Sequence, residues 1–298
     1  MRWLVTGASG MLARDVCAVL AEAGEVEVAA ATRADLDLLD HEALAAAVTG
    51  RDVVINAAAW TDVDGAETGE QAATEVNGDA VADLARLCAA SGAYLFQPST
   101  DYVFAGDATS PYREEAPTAP LNAYGRGKLV GEEAVLAELP ERGYVVRTAW
   151  LYAAHGGNFV ATMLRLAAQR ETLEVVADQE GQPTWSYALA TQLVALAGRA
   201  VAGDAPAGVY HGTASGQTTW YGLARAVFEE AGLDPERVRP TTTERFPRPA
   251  ARPRYSVLGH DRWKLAGLPA LPDWRHMLST ALPHFDPALI RSAQSAAL

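Results

Sequence analysis

The sequence predicts an α/β protein built on a doubly wound parallel sheet, with a smaller C-terminal α/β domain. Two observations predict this fold. Over the first 150 residues, short apolar segments alternate with helical patterns, which is typical of chains that form parallel sheets. The apolar segments are also nearly continuous, as expected for strands that are buried on both faces.

The N-terminal elements follow one another regularly, and we assign residues 1–150 to the first domain. In order, the pattern predicts a strand at 2–6, a helix ending near 23, a strand at 26–31, a helix at 41–48, a strand at 52–55, a helix at 68–90, a strand at 93–96 that stops at Pro98, a helix that opens near Asn122, and a strand at 144–147.

After residue 150 the pattern is looser, and we assign residues 151–184 and 213–298 to a second domain. Residues 185–212 are expected to return to the first domain. The predicted elements are helices at 157–169, 186–201, 219–231 and 273–282, and a strand at 208–211. The tail after Pro287 is rich in Ala and Ser and is expected to fray.

Composition and charge exclude several classes of protein. The formal net charge of −13 argues against binding to nucleic acid or to an anionic membrane. No apolar run approaches about 18 residues and no secretory signal pattern is present, so we expect a cytoplasmic protein without a membrane span. Cys17 and Cys88 are expected to be free thiols, and the six histidines lack metal-ligand spacing, so no metal site is predicted.

A glycine loop follows the first strand and opens the first helix. Gly7, Gly10 and Ala13 form a G-x-x-G-x-x-A pattern there. Small residues let the backbone approach a pyrophosphate, and the helix N-terminus supplies amides and the positive end of a dipole. The pattern therefore predicts a Rossmann-type dinucleotide site, with a tight turn that merely needs glycine as the alternative.

The end of the second strand bears on the choice of cofactor. An acidic residue there binds the ribose 2′-hydroxyl of NAD, whereas Arg accommodates the 2′-phosphate of NADP. This chain has Thr32 and Arg33 at that point, which favours NADPH, with NADH as the alternative. Asp37 and Leu38 are expected at the adenine edge.

A tyrosine and a lysine lie four residues apart in the predicted helix after Asn122. Tyr124 and Lys128 therefore share one helix face, and the ammonium is expected to lower the pKa of the phenol. A hydroxyl at the end of the preceding strand, such as Thr100, could bind the same substrate oxygen. Together these groups predict an acid that protonates a carbonyl oxygen during hydride transfer. Tyr and Lys pairs at this spacing are also common on half-exposed helix surfaces, where they have no catalytic role.

Several ordered blocks resemble the dTDP-4-dehydrorhamnose reductases, a family of extended short-chain dehydrogenases/reductases. The resemblance runs from the first strand to about Leu282. The blocks include VINAAAWTDVDGAE at 54–67, STDYVFAG at 99–106, PLNAYGRGKLVGE at 120–132, RTAWLY at 147–152, DQEGQPT at 178–184 and RPRYSVLGHDRWKLAGL at 252–268.

The resemblance implies reduction of the C4 ketone of a dTDP-4-dehydro-6-deoxyhexose by NAD(P)H, with dTDP-4-dehydro-L-rhamnose as the expected substrate. Residues 1–150 would bind the cofactor, and the second domain would bind the nucleotide sugar. By matched position, Tyr124 is the general acid, Lys128 lowers its pKa and holds the nicotinamide ribose, and Thr100 binds the reacting oxygen. The expected partners are this substrate and, at most, a second copy in a homodimer.

The remaining site residues fall into two sets. Cofactor binding is expected, besides Tyr124 and Lys128, at Gly7, Gly10, Met11, Leu12, Arg33, Asp37, Leu38, Ala57, Ala58 and Ala59. Substrate binding is expected at Thr100, Asp101, Tyr102, Val103, Phe104, Trp150, Asn158, Trp220 and Arg252. Trp150 could stack on the sugar ring, and the fork of Arg252 suits the diphosphate.

Three alternatives stay open at this point. Ala105 and Trp60 depart from residues common in the family near the substrate, so a reductase for another dTDP-deoxysugar in natural-product glycosylation would have a similar sequence. A non-catalytic NADP-binding regulatory subunit is the second alternative, although the intact Tyr124 and Lys128 speak against it. The third is an epimerase or a dehydratase. A dehydratase normally needs two carboxyl groups, and Asp101 supplies only one.

Overall fold

The computed structural model describes residues 1–24 and 26–295. The strands are β1 (Arg2–Thr6), β2 (Glu27–Ala31), β3 (Val53–Asn56), β4 (Tyr94–Thr100), β5 (Gly143–Thr148), β6 (Leu151–Tyr152), β7 (Leu173–Val176), β8 (Glu180–Gly181), β9 (Thr184–Trp185), β10 (Gly208–His211), β11 (Thr218–Thr219) and β12 (Val238–Thr241). The helices are α1 (Met11–Glu22), α2 (His41–Val48), α3 (Val63–Ala66), α4 (Glu70–Thr74), α5 (Ala80–Ser91), α6 (Ala123–Glu138), α7 (Phe159–Ala167), α8 (Ser186–Val201), α9 (Trp220–Glu230), α10 (Trp274–Ala281) and α11 (Pro287–Ser295).

Six strands form one parallel sheet in the order β10-β5-β4-β3-β1-β2. The chain leaves β1 towards β2 on one side and later resumes with β3 on the other. The carboxyl ends of β1 and β3 therefore flank a switch point, where open α/β sheets form their ligand crevice. The predicted doubly wound parallel sheet is confirmed.

Helices cover both faces of this sheet. Because successive side chains of a strand point to opposite faces, Leu4 and Leu95 pack under α2, α5 and α6, whereas Val5 and Phe96 pack under α1 and α8. This double burial explains why the strands are apolar along their whole length.

A second core lies in the C-terminal part of the chain. It is built from α7, α9, α10 and α11 with β7, and Phe228 and Leu278 are fully buried in it. By contrast, α8 packs against α1 and β10 pairs with β5, so residues of this stretch belong physically to the first sheet. The domain boundaries given above stay a prediction.

The fourth strand is longer than its sequence predicts. The expectation that it stops at Pro98 is wrong, because β4 continues to Thr100 and pairs with β5 as far as Thr148. Proline can take part because its fixed φ suits an extended chain and only its N–H is missing. Its carbonyl oxygen accepts hydrogen bonds from the side chains of Gln97 and Lys128.

The C-terminal tail is ordered as far as it is described. Residues after Pro287 form α11, in which Ala293 is fully buried and Gln294 Nε2 donates to Ala231 O at 2.8 Å. The expectation of fraying is therefore wrong for 287–295, since this helix covers the second core. Residues 296–298 lie outside the described residues.

Three predictions based on composition can be compared with the described residues. Within them, no helix is long and apolar enough to span a membrane. The same residues contain no group of three or more His, Cys, Asp or Glu side chains that could hold a metal ion. Cys17 and Cys88 are free, and burial raises the pKa of the Cys88 thiol to about 12, which makes it unreactive.

Candidate active site

A cleft of about 250 Å³ opens at the switch point of the sheet. It brings together most of the residues predicted to bind the cofactor, namely Gly7, Gly10, Arg33, Asp37, Leu38 and the three alanines at 57–59. These residues come from the ends of β1, β2 and β3, as the topology requires.

The glycine at the start of the loop is required by its surroundings. Gly7 has φ of 65°, and a Cβ on it would come within 2.7 Å of Ala58 N. Any side chain would therefore clash with the end of β3 and fill the cradle between the two strands. The backbone can approach a ligand closely here, so the residues present fit a dinucleotide.

Two of the predicted cofactor residues do not line the cleft with their side chains. Met11 and Leu12 form the first turn of α1, and the Leu12 side chain is 7 % exposed and packs in the core behind the loop. Met11 and Leu12 can therefore offer a phosphate their backbone N–H groups at the helix N-terminus.

The three polar residues after β2 have different environments. Arg33 is exposed at the rim of the cleft. Asp35 Oδ2 accepts hydrogen bonds from Thr32 Oγ1 at 2.6 Å and Thr32 N at 2.9 Å, which lower the pKa of this carboxyl group. Asp37 lines the cleft, and its Oδ1 accepts from Leu39 N at 3.1 Å. Asp35 therefore stabilises the turn, while Arg33 supplies positive charge at the rim.

Sequence reasoning missed a buried asparagine that shapes this cleft. The helix predicted at 68–90 contains a π-helical turn, Glu75–Asp79, between α4 and α5. Asn77 in that turn donates to Trp60 O at 3.0 Å and accepts from Trp60 N at 2.9 Å. The only signal in the sequence was an asparagine in an otherwise helical pattern, and π-helical turns often mark functional sites.

A second pocket of about 240 Å³ lies at the carboxyl ends of β4 and β5. Its polar wall is formed by Ser99, Thr100, Asp101 and Tyr124, and its apolar wall by Val63, Trp150, Leu151 and Trp220. The structure thus brings together Tyr124 and five of the nine residues predicted to bind substrate: Thr100, Asp101, Tyr102, Trp150 and Trp220.

The environment of Tyr124 differs from the one expected. Loss of water raises the pKa of the phenol well above its usual value, the Asp101 charge raises it further, and the Thr100 hydroxyl lowers it in part. The prediction that Lys128 lowers this pKa is therefore wrong for this structure. The ammonium instead donates to Pro98 O at 2.8 Å.

Lys128 is held beneath the pocket rather than in it. Its side chain is 4 % exposed, and burial lowers the pKa of the ammonium to about 8, with a partial opposite effect of Glu132. Its hydrogen bond to Pro98 O connects α6 to the strand that carries Thr100. Lys128 and Thr100 are therefore fixed relative to each other.

Asp101 and Thr100 form a pair in the polar wall. Thr100 Oγ1 donates to Asp101 Oδ1 at 3.0 Å and accepts from Tyr102 N at 3.1 Å. Burial raises the pKa of Asp101 to about 6, while hydroxyl groups of Ser256 and Thr100 act in the opposite direction. The Ser99 hydroxyl is buried without a hydrogen-bond partner among the described residues, so the polar wall can accommodate further polar groups.

The two indoles of the apolar wall stack on each other. The ring centroids of Trp150 and Trp220 are 3.6 Å apart, and the Trp220 Nε1 donates to Gln179 Oε1 at 3.1 Å. Trp150 is the one non-glycine residue of the described chain with a left-handed backbone, at φ of 47°. Strain of this kind clusters at functional sites. Trp220 covers one face of Trp150, so a sugar could reach only what remains exposed.

Four residues predicted to contact substrate do not line this pocket. Val103 and Phe104 are 0 % and 1 % exposed and pack with Leu258, so their side chains do not reach this pocket, and their contact with the sugar stays a prediction. Asn158 caps α7, where its side chain accepts from Ala161 N and donates to Ala153 O. Arg252 lies beside Tyr102 at the edge of the pocket.

The parallel sheet, the glycine loop at its switch point and the pocket containing Tyr124 above Lys128 define an extended short-chain dehydrogenase/reductase. The chain belongs to the family described as the RmlD substrate binding domain, which matches residues 1–286.

Similar proteins cover nearly the whole chain. A dTDP-4-dehydrorhamnose reductase of Streptomyces griseus is 53 % identical over 95 % of this chain and 93 % of its own length. A dTDP-4-keto-6-deoxy-D-glucose reductase of Streptomyces niveus is 49 % identical over 95 % and 96 %. The crystal structure of dTDP-4-dehydrorhamnose reductase from Bacillus anthracis in complex with NADP superimposes with a TM-score of 0.88 at 34 % identity, covering 95 % and 98 %.

Proposed function

We propose that this protein reduces the C4 ketone of a dTDP-4-dehydro-6-deoxyhexose, with NADPH as the reductant and dTDP-4-dehydro-L-rhamnose as the substrate. The observation that carries the proposal is the shared pocket of Thr100 and Tyr124, with Lys128 directly beneath it. The relatives named as dTDP-4-dehydrorhamnose reductases, similar over nearly their whole length, support the same chemistry.

The cofactor would lie in the cleft at the switch point. The loop of Gly7 and Gly10 would hold the pyrophosphate, and Arg33 at the rim would hold the 2′-phosphate. NADPH, when bound, supplies the hydride that the C4 carbon accepts. The relative that was crystallised with NADP supports this choice over NADH.

In this proposal Tyr124 donates its phenolic proton to the substrate oxygen as the carbonyl is reduced to an alcohol. The raised pKa keeps the phenol protonated at neutral pH, so the acid is present in its working form. Because an alkoxide is a much stronger base than a phenolate, transfer of the proton to the developing alkoxide stays favourable. Thr100 orients the same oxygen by a hydrogen bond, and Lys128 fixes the strand that carries Thr100.

Substitution of Tyr124 tests the proposal. Tyr124→Phe removes the proton but keeps the ring, so turnover of dTDP-4-dehydro-L-rhamnose, followed by loss of NADPH absorbance, should fall by at least about a hundredfold. Tyr187→Phe is the matched control, because Tyr187 bonds Glu22 on α1, away from the pocket. Full turnover in the Tyr124 variant would remove this residue from the mechanism.

A D-configured substrate is the second candidate, because the Streptomyces niveus relative is named for dTDP-4-keto-6-deoxy-D-glucose. Turnover of the two ketones should therefore be compared with NADPH and with NADH, and the products identified by NMR. We expect the higher kcat/KM for the L-sugar with NADPH. No turnover of either sugar with either cofactor would favour the non-catalytic NADP-binding subunit.

A further inference from the structure

The two stacked indoles of the substrate pocket are supported by one short pair of strands. β8 and β11 pair in antiparallel fashion, with Thr219 opposite Glu180. One step further along this register Trp220 stands opposite Gln179, and Trp220 Nε1 donates to Gln179 Oε1 at 3.1 Å. Because residues directly opposite each other on two strands interact through their side chains, the position of the Trp220 indole is set from the side of β8.

Gln179 is a buried polar residue whose amide is used at both ends. It is 9 % exposed, and while its Oε1 accepts from Trp220, its Nε2 donates to Thr243 Oγ1 at 2.9 Å. Thr243 Oγ1 in turn donates to Asp178 Oδ1 at 2.8 Å, and Thr243 N donates to Oδ1 and Oδ2 of the same carboxylate at 3.0 and 3.1 Å. The direction of this chain of hydrogen bonds is fixed, since an indole nitrogen only donates and a carboxylate only accepts.

Ring contacts hold the two indoles from other sides. Trp220 stacks on Trp150 with 3.6 Å between centroids and 9° between planes, and the ring of Phe159 meets Trp220 at 4.7 Å and 48°. Gly181 lies against the other indole, because a Cβ on this glycine would come within 2.5 Å of Trp150 Cε2. The segment 179–181 thus supports both rings, one by a hydrogen bond and the other by close contact.

The hydrogen bond to Gln179 also determines what the apolar wall offers to a ligand. The one polar group of a tryptophan side chain is its Nε1–H. In Trp220 this donor is taken by Gln179, so the indole offers a ligand no free donor. A hydroxyl group placed against such a surface would lose water without gaining a hydrogen bond, whereas a methyl group would gain by leaving water. The wall therefore favours a methyl group.

We infer that Gln179 is a positioning residue, which holds Trp220 against Trp150 and thereby makes the pocket select a sugar with a methyl group at C6. The inference rests on the proposed function. When the C4 oxygen lies at Thr100 and Tyr124, the C6 group, carried by the neighbouring C5, must lie close to the reacting carbon. The polar wall is then occupied by the C4 oxygen, so in a pocket of about 240 Å³ the apolar wall remains to receive the C6 group.

Binding of two sugar nucleotides tests the selection, measured by calorimetry on the protein saturated with NADP⁺. dTDP-L-rhamnose has a methyl group at C6, and dTDP-L-mannose differs from it only by a hydroxyl group there. The parent should bind dTDP-L-rhamnose about ten- to a hundredfold more tightly. Gln179→Leu frees the ring and the N–H of Trp220, so it should weaken dTDP-L-rhamnose about tenfold and reduce the preference at least about threefold. An unchanged preference would overturn the inference.

Gln192→Leu is the matched control. Gln192 of α8 is a buried glutamine as well, 8 % exposed, and its Nε2 donates to Pro269 O at 2.8 Å. It is not among the residues that line either pocket. Its substitution should leave both affinities unchanged, and dTDP, which lacks the sugar, should bind equally to the parent and to both variants. Equal weakening by Gln192→Leu, or weaker binding of dTDP to Gln179→Leu, would overturn the inference by making the effect a general one.

Two further variants test whether Gln179 acts by positioning. Gln179→Glu keeps the acceptor for Trp220 but cannot donate to Thr243, so it should weaken dTDP-L-rhamnose less than Gln179→Leu and keep most of the preference. Thr243→Val removes the group that fixes the Gln179 amide. It should weaken dTDP-L-rhamnose severalfold in the parent and not at all in the Gln179→Leu background. Equal weakening in both backgrounds would overturn the positioning role.

Near-UV circular dichroism of the free protein follows the indoles without any ligand. Gln179→Leu should change the tryptophan bands in the same sense as Trp220→Phe, whereas Gln192→Leu should not. Bands identical to those of the parent in Gln179→Leu would refute the positioning role, whatever the protein reduces. If the bands change but the parent binds neither sugar nucleotide, the proposed function and the selection at C6 are refuted, and the positioning of Trp220 stands.

Discussion

Helix α6 carries two buried charged side chains, and these differ in the partners that compensate their charge. Glu132 is 1 % exposed, and its carboxylate accepts hydrogen bonds from Arg147. Arg147 Nε lies 3.0 and 3.1 Å from Oε1 and Oε2, and Arg147 Nη2 lies 2.7 Å from Oε2. Lys128, one helical turn earlier and 4 % exposed, donates to a single carbonyl oxygen, Pro98 O. One charge is matched by a carboxylate–guanidinium pair, whereas the other is compensated only in part.

The network around Glu132 extends further than the ion pair. Arg147 Nη1 donates to Glu114 O at 3.2 Å and faces His211 Nε2 at 3.5 Å. Burial and then the Arg147 charge lower the pKa of His211 to about 3, so the imidazole stays neutral beside the guanidinium. This network joins α6, β5 and β10 and supports the fold.

The number of partners therefore separates a structural charge from a functional one. Burial without a full set of partners lowers the pKa of Lys128 and raises the pKa of Asp101. Groups with pKa values shifted in this way cluster at active sites. Three substitutions test this contrast between paired and partly compensated charges.

The largest effect is expected where the paired charge is broken. Glu132→Gln leaves the Arg147 charge buried without its carboxylate, which should lower the free energy of unfolding by about 3–5 kcal/mol in urea titrations. Glu236→Gln breaks the Arg225 pair, whose carboxylate side chain is 74 % exposed, and should cause no measurable change. Equal effects of the two substitutions would mean that burial does not distinguish these pairs.

Removal of the partly compensated charge should have the opposite sign. The folded-state pKa of Lys128, about 8, lies below its ordinary 10.5, so the charged folded form is disfavoured by about 3 kcal/mol below pH 8. Lys128→Met should therefore raise the free energy of unfolding at pH 7, with the gain narrowing as the pH approaches 10. Turnover should fall severely in the same variant.

The outcome for Lys128→Met can be checked against Glu132→Gln on the same helix. A loss of stability in both variants would make Lys128 a structural residue. A higher free energy of unfolding in Lys128→Met together with intact turnover would show that Lys128 is not needed for catalysis.

How much the sequence could predict depends on the range of the interactions. The succession of strands and helices along the first 150 residues, the start of a helix near Asn122 and the glycine loop are local signals, and the structure has them where they were expected. The apolar Val103 and Phe104 sit beside Tyr102 in sequence, but their burial depends on Leu258, which is distant in the chain.

The error about Tyr124 has the same origin. Spacing correctly placed the phenol and the ammonium on one helix, but the pKa of the phenol depends on how much water the pocket removes and on Asp101 from β4's end. The contacts of Asp64 with Arg252 and of Asn77 with Trp60 likewise join segments that no sequence period relates.

The smallest of the three effects is expected at Asp101. Its folded-state pKa of about 6 lies above the ordinary 3.8. The contribution of Asp101 to the stability of the fold is therefore complete below pH 3.8, where the carboxyl group is neutral, and is lost as the pH rises through 6. Asp101→Asn keeps an acceptor for the Thr100 hydroxyl but carries no charge. It should stabilise the fold by up to about 3 kcal/mol at pH 7 and by less at pH 5.

Urea titrations at the two pH values measure this difference, with Asp261→Asn on the exposed surface as the control. A gain that does not grow with pH would mean that the carboxyl group is neutral in the folded protein throughout, and the contrast with Glu132 would then concern one lysine alone.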